Sequence, residues 1–180
     1  LPQLSLHTPI GPITISAEAE AIVAVDWGWG RDQHPGPLLL GAKAWLQAYF
    51  DGEIGPMTLP LAPAGTRYRQ LVWSAICAIA PGETRSYQAV AQLAGGSSRS
   101  VGGAMAANPI PILIPCHRII GSGQRGRSLI GGYSGGEGIE TKCFLLDLER
   151  RAVARRSGAS PDGRSLEAEL CRNRTNGTTR

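Results

Sequence analysis

Residues 51–65, DGEIGPMTLPLAPAG, carry proline or glycine at six of fifteen positions and show no hydrophobic period. Proline removes a backbone donor and fixes φ, and glycine weakens helix and strand interiors alike. No regular element runs through such a stretch, so the chain must divide there, with an interdomain linker between two units.

The two sides differ in kind. Before the linker, residues 3–7 (QLSLH), 12–16 (PITIS) and 21–27 (AIVAVDW) are short β-favouring runs separated by TPIGP and AEAE. That spacing predicts antiparallel hairpins. Residues 38–50 predict a helix with Leu39, Ala42, Leu46 and Tyr49 or Phe50 on one face. After Thr66 the period is helical. Residues 67–79 place Tyr68, Leu71, Val72, Ala75, Ile76 and Ile79 at helical spacing. APGET breaks the pattern, residues 86–94 predict a helix capped by Ser86, GGSS turns the chain, and 98–107 predict a third helix. Three short helices with a glycine-containing turn before the last form the helix-turn-helix pattern. Residues 137–149 predict an amphipathic helix with Phe144, Leu145 and Leu148 inward. The expected organisation is an α/β domain with its linker (1–65), a mainly α domain (66–150), and a basic, disordered tail (151–180), the last rich in Arg, Ser, Gly and Asn.

Charge follows the same division. Residues 1–65 carry two basic residues against six acidic ones, a net of −4; 66–149 carry eight against five, +3; 150–180 carry eight against three, +5. A basic back half directs the search for a polyanionic partner there, although a solvated imbalance explains the charge equally well. No apolar run approaches the ~20 residues of a membrane span, and the N-terminal residues do not read as a signal peptide. The four cysteines, Cys77, Cys116, Cys143 and Cys171, contain no C-x-x-C pair. Neither a disulfide framework nor a structural zinc site is expected, and a reducing, intracellular setting fits.

Two stretches ask for an explanation. GGAMAA, in the third helix, carries almost no bulk on any face, and glycine costs about 1 kcal/mol against alanine inside a helix. Close helix–helix packing and close approach to a nucleic-acid groove both account for it. PILIPCHRIIG (111–121) sets a thiol beside an imidazole and a guanidinium. A thiol attacks as thiolate, and neighbouring positive charge or a helical turn's N–H groups lower its pKa. His117 is placed to act as base through a water, and Asp147 and Glu149 are the carboxylates available to orient it. A buried structural cysteine is the alternative.

NPIPILIPCHRIIG followed by GGYSGG resembles the active-site signature of the O6-alkylguanine-DNA alkyltransferases, the methylated-DNA–protein-cysteine methyltransferases. The likeness extends from Tyr68 to Glu149 through YRQLVW, APGETRSYQAVAQLAG, RSVGGAMAANP and KCFLLDLE. It implies a ribonuclease-H-like N-terminal domain and a winged-helix or helix-turn-helix-like C-terminal domain. It implies single-turnover transfer of an alkyl group from O6-alkylguanine, and from O4-alkylthymine, to Cys116. His117 would take the thiol proton, Glu149 rather than Asp147 would orient His117, and Asn108 would couple the third helix to the active-site turn. Tyr87 would protonate the leaving guanine, Ser134 would bond near its O6, and Met105 and Tyr133 would line the base pocket. Arg99 would fill the stack left by the flipped base; Arg118, Ile119 and Lys142 complete the expected substrate- and DNA-binding set.

The resemblance also implies double-stranded DNA as partner, a monomer in the cytoplasm (or nucleus in a eukaryote), and neither cofactor nor metal. The segment from Arg118 to Tyr133 is longer than the family pattern and carries Arg125 and Arg127. The competing readings are a helix-turn-helix damage sensor or regulator without transfer chemistry, and a Cys–His hydrolase.

Overall fold

The computed structural model describes residues 1–121 and 130–158. Arg125, Arg127 and residues 159–180 of the expected tail lie outside them.

Strands β1 (Gln3–Leu6), β2 (Ile13–Glu18) and β3 (Ala21–Trp27) form an antiparallel sheet in sequential order. The register pairs Leu4 with Ile15 and Leu6 with Ile13. Alternation therefore collects Leu4, Leu6, Ile13, Ile15 and Val25 into the core. The opposite face is polar yet also buried: Ser5 Oγ and Thr14 Oγ1 lie 2.9 Å apart, and both accept from the Gly30 amide. Helix α1 (Pro37–Phe50) begins with proline, whose missing N–H is no loss in a first turn. It buries Leu39, Ala42, Leu46 and Tyr49, the expected face, with Tyr49 rather than Phe50 fully inward.

The linker is tied down. The Ile22 amide donates to Pro60 O and the Ala62 amide to Ile22 O, so Leu61 lies strand-like beside β3. Its prolines are tolerated because this is an edge.

Helix α2 (Arg67–Cys77) is capped by Thr66, which accepts from the Arg69 amide. It buries Val72, Trp73 and Ile76, while Leu71, expected inward, is half exposed. Trp73 takes the central place because its indole N–H finds the Ala104 carbonyl at 2.9 Å. Helices α3 (Tyr87–Ala94) and α4 (Ser98–Ala106) start at Ser86 and Ser97, the latter in a reciprocal capping box with Ser100. Gly95 and Gly96 between them take φ of 82° and 90°, a conformation open to glycine. At Gly96 a Cβ would also lie 2.6 Å from the Tyr68 hydroxyl and Ser100 Oγ. Strand β4 (Arg85–Ser86) pairs in parallel with β5 (Ile119–Ile120).

Helix α5 (Ile139–Arg156) corrects two expectations. It continues through 151–156, which the composition assigned to the tail. Ala152 shares the buried face of Leu145 and Glu149, and Asp147 pairs with Arg150 and Arg151 one turn on. Phe144 is exposed and Leu146 buried in its stead, because Lys142, Leu145 and Glu149 define the inward face. Among the described residues Cys77 and Cys116 are free thiols. No described helix is long and apolar enough to cross a membrane, and no described cluster of His, Cys, Asp or Glu suits a metal ion.

Candidate active site

The chain reaches Cys116 through a constrained loop. Asn108 Oδ1 accepts from the Ile110 amide at 3.0 Å and its Nδ2 donates to Ile114 O at 2.9 Å. One amide side chain thus struts the end of α4 against the approach to the thiol. Between its two contacts Ile112 sits at φ 74°, an outlier for a β-branched residue. Burial of Ile110, Ile112 and Ile114 and the Ile114 N–H to Ile110 O bond hold it there. Cys116–Arg118 then form a 3-10 turn, closed by the Arg118 amide on Pro115 O. The turn sends Cys116 and His117 to different sides.

His117 and Glu149 are both fully buried, with Nε2 2.7 Å from Oε1. That oxygen also accepts from the Tyr49 hydroxyl at 2.8 Å and Arg118 Nη2 at 2.8 Å. Oε2 accepts from Arg118 Nε at 2.9 Å and the Gly82 amide at 3.2 Å. Burial alone would raise the Glu149 pKa, but His117 and Arg118 hold it well below the usual carboxylate range. The carboxylate is therefore ionised. His117 is pulled the other way: burial lowers its pKa, Glu149 opposes, and Arg118 and Lys142 add to the lowering. A neutral ring that donates Nε2–H to a carboxylate leaves its lone pair on Nδ1. Nδ1 is buried and has no hydrogen-bond partner, the Cys116 thiol included.

Cys116 forms the floor of a cavity of about 410 Å³. Tyr87, Tyr133 and Ser134 supply its polar edge; Gly102, Met105 and Ala106 of α4 supply a flat wall. Against the expectation of a depressed value, burial raises the thiol pKa, with Asn108 and Lys142 only partly compensating. The turn is too short and the site too dry for its N–H groups and cations to dominate. The Tyr87 and Tyr133 pKa values are raised too, by burial first and by Cys116 second. Tyr133's hydroxyl is buried close to the Cys116 sulfur.

The structure thus brings Cys116, Tyr87, Met105, Tyr133 and Ser134 together around one cavity, with His117, Glu149 and Asn108 behind it. Arg99 stands apart, exposed in the first turn of α4. Arg118, Ile119 and Lys142 are buried away from the cavity lining. Arg118 braces Glu149 and the Ile79 carbonyl. Lys142 Nζ donates to the Ile119 and Gly132 carbonyls, and burial pushes its pKa down to about 8 although Cys116 pulls upward. Asp147, the competing carboxylate, faces Arg150 and Arg151. Sequence reasoning missed Tyr49 and Gly82 as partners of Glu149. A tyrosine on an inward helix face was the available signal, because a buried hydroxyl needs a partner.

The chain is similar to known proteins across both of its parts. The family model described as 6-O-methylguanine DNA methyltransferase, ribonuclease-like domain, matches residues 4–63. The model for the DNA binding domain of the same family matches residues 67–151. The constitutive methylated-DNA–protein-cysteine methyltransferase of Bacillus subtilis (strain 168) is 38% identical over 157 residues, covering 80% of this chain and 92% of the relative. The methylated-DNA–protein-cysteine methyltransferase of Mycobacterium leprae is 38% identical over 162 residues, covering 83% and 92%. The crystal structure of Mycobacterium tuberculosis OGT in complex with DNA superposes with a TM-score of 0.72 at 34% identity, covering 84% of this chain and 94% of that one. A two-domain chain matched across both domains, with a thiol at the floor of its cavity, belongs to the 6-O-methylguanine DNA methyltransferase family.

Proposed function

We propose that this protein repairs DNA by transferring the alkyl group of O6-alkylguanine, or of O4-alkylthymine, irreversibly to Cys116. The observation that carries the reading is the thiol at the floor of a base-sized cavity beside a buried His–Glu pair whose free lone pair is on Nδ1.

The chemistry follows from the protonation states. A bridging water relays the Cys116 proton to His117 Nδ1, and the Glu149 carboxylate stabilises the imidazolium that forms. The thiolate attacks the alkyl carbon in line; the S–C bond forms as the C–O6 bond breaks. Electrons return to the guanine, which Tyr87 protonates, and Ser134 donates near O6. Tyr87 is placed for this task by lining the cavity beside Cys116, and its phenol carries a proton at neutral pH. A thioether is a poor leaving group, so each molecule acts once.

The base reaches the cavity by flipping out of the duplex, and Arg99 enters the vacated stack. The α4 surface supports this approach. A Cβ built at Gly102 or Gly103 meets nothing within 4 Å, so internal packing does not require glycine there. Close approach to a wide partner does. In this reading α3 and α4 form the helix-turn-helix, β4 and β5 stand where a winged-helix domain has its small sheet, and the protein works as a monomer.

The test is an oligonucleotide duplex carrying O6-methylguanine, followed by peptide mass analysis. One methyl on the Cys116 peptide per molecule is expected, and none in Cys116→Ala. Undiminished transfer in Cys116→Ala, or none in the wild type, overturns the reading. Equal binding to lesion and intact duplex without transfer favours the sensor alternative.

A further inference from the structure

The Glu149 carboxylate has a partner that lies outside the C-terminal domain. Tyr49 is fully buried on α1 of the N-terminal domain, and its hydroxyl crosses 100 positions of sequence to donate to Glu149 Oε1 at 2.8 Å. The same oxygen receives His117 Nε2 at 2.7 Å, and the tyrosine oxygen lies 3.5 Å from that nitrogen. A phenol has one proton. Given to the carboxylate, it leaves the imidazole N–H on Nε2 and the lone pair on Nδ1. The ring is held independently of its hydroxyl, stacked on Trp45 at 5.4 Å and edge-on to Phe50 at 5.3 Å. Two further contacts seat the N-terminal domain beside the site: the Val25 amide donates to Pro109 O, and Trp27 fills the space a Cβ at Gly135 would need.

We propose that Tyr49 is a positioning residue for alkyl transfer: its hydroxyl draws charge from Glu149 Oε1 and so keeps His117 neutral, with Nδ1 available to the thiol. The proposal rests on the alkyl-transfer reading. The physical ground is competition at one oxygen. Each donor added to a carboxylate lowers its attraction for the next, so removing the tyrosine proton makes Oε1 a stronger partner for an imidazolium. The other groups facing this pair are Arg118 from the turn and Lys142 from α5. The Gly82 amide also contacts Glu149; Tyr133 lies near Tyr49, and Cys77 near Arg118. Among these, Tyr49 is the neutral side-chain donor on Oε1.

The test substitutes Tyr49→Phe in the full chain, keeping the ring contacts. Single-turnover methyl transfer is followed from acid to neutral pH, and His117 is titrated by NMR in parallel. The sign follows from the base: transfer needs neutral His117, so its acid limb falls where the ring protonates. Without the hydroxyl, that limb and the NMR midpoint are expected to move up together by about one pH unit. The rate then falls roughly tenfold on the acid side and far less above the limb. A uniform rate loss at every pH, with the His117 midpoint unmoved, reduces Tyr49 to a packing residue and overturns the proposal. A downward move also overturns it. Should the wild type transfer nothing, the function reading fails, while the His117 titration still decides this one.

Discussion

Replacing Glu149 by glutamine tests the centre of the site. The carboxylate is fully buried, and both oxygens together accept from Tyr49, His117, Arg118 and Gly82. Glutamine keeps the shape, but it removes the charge that balances a guanidinium only 7% exposed, and it turns one acceptor into a donor facing other donors. Removing one partner of a buried ion pair costs about 3–5 kcal/mol. For a chain of this size each kcal/mol is about 2–4 °C in Tm, so a fall of roughly 10 °C is expected by calorimetry. Transfer should slow by about 10²–10⁴, the contribution of a general base.

The pH dependence is fixed by the sign of the Glu149 shift. Its folded pKa lies below the ordinary value, so its stabilisation is complete above about pH 4.3 and fades only as pH falls through the folded value. The gap between wild type and Glu149→Gln should stay flat from neutral pH to about 4.3 and narrow in stronger acid. Adding Arg118→Met separates structure from chemistry. With no charge left unpaired, much of the stability should return, while His117 stays unoriented and transfer stays slow. A loss under about 1 kcal/mol with near-normal transfer would refute the assignment of Glu149 as the hub of the buried network.

Gly102→Ala should raise stability by up to about 1 kcal/mol, because the new methyl meets open space. The same change should weaken duplex binding in a fluorescence anisotropy titration; unchanged affinity would remove α4 from the interface. Asn108→Ala deletes both struts across the Ile112 loop. It should cost about 1–3 kcal/mol in urea unfolding and slow transfer at saturating DNA. Lys142→Met addresses an ammonium whose pKa is pushed down to about 8 by burial. The unfolded chain holds this proton up to about pH 10.4, so wild-type stability should gain on the order of 3 kcal/mol between those pH values, and the variant should lack that slope. Iodoacetamide at neutral pH should label exposed Cys77 well before buried Cys116. Faster labelling of Cys116 would contradict a protonated resting thiol.

Local signals carried the scaffold. Alternation in 3–7, 12–16 and 21–27 located the hairpins, and Ser86 and the GGSS turn marked the starts of α3 and α4. The misses share a cause. Trp73, Leu146 and Tyr49 are placed by partners distant in sequence: Ala104 for the indole, the turn for α5, Glu149 for the phenol. A single-helix period places a face to within a residue or two, and tertiary partners choose among neighbours on it. Arg118 shows the same limit. Beside a nucleophile a guanidinium reads as a substrate ligand, and only the arrival of α5 reveals that it faces backward to Glu149. The thiol pKa failed for a related reason: charges adjacent in sequence are visible, but burial is not, and burial is the larger influence.

That raised pKa bears on how a single-use protein keeps its reagent. A permanent thiolate would react with any soft electrophile or oxidant, and each such event would consume a molecule. Here the sulfur is buried and neutral, and the base behind it is neutral as well. In the proposed mechanism activation moves one proton from Cys116 to His117, where Glu149, already ionised, stabilises the product charge. The transfer is worthwhile only when an alkyl carbon is held in line with the sulfur, which the cavity walls decide. The fully donated state of Glu149 then has a purpose beyond stability. Its donors come from α1, the loop after α2 and the 3-10 turn, so with Tyr49 in its proposed role the protonation state of the base depends on both domains being assembled.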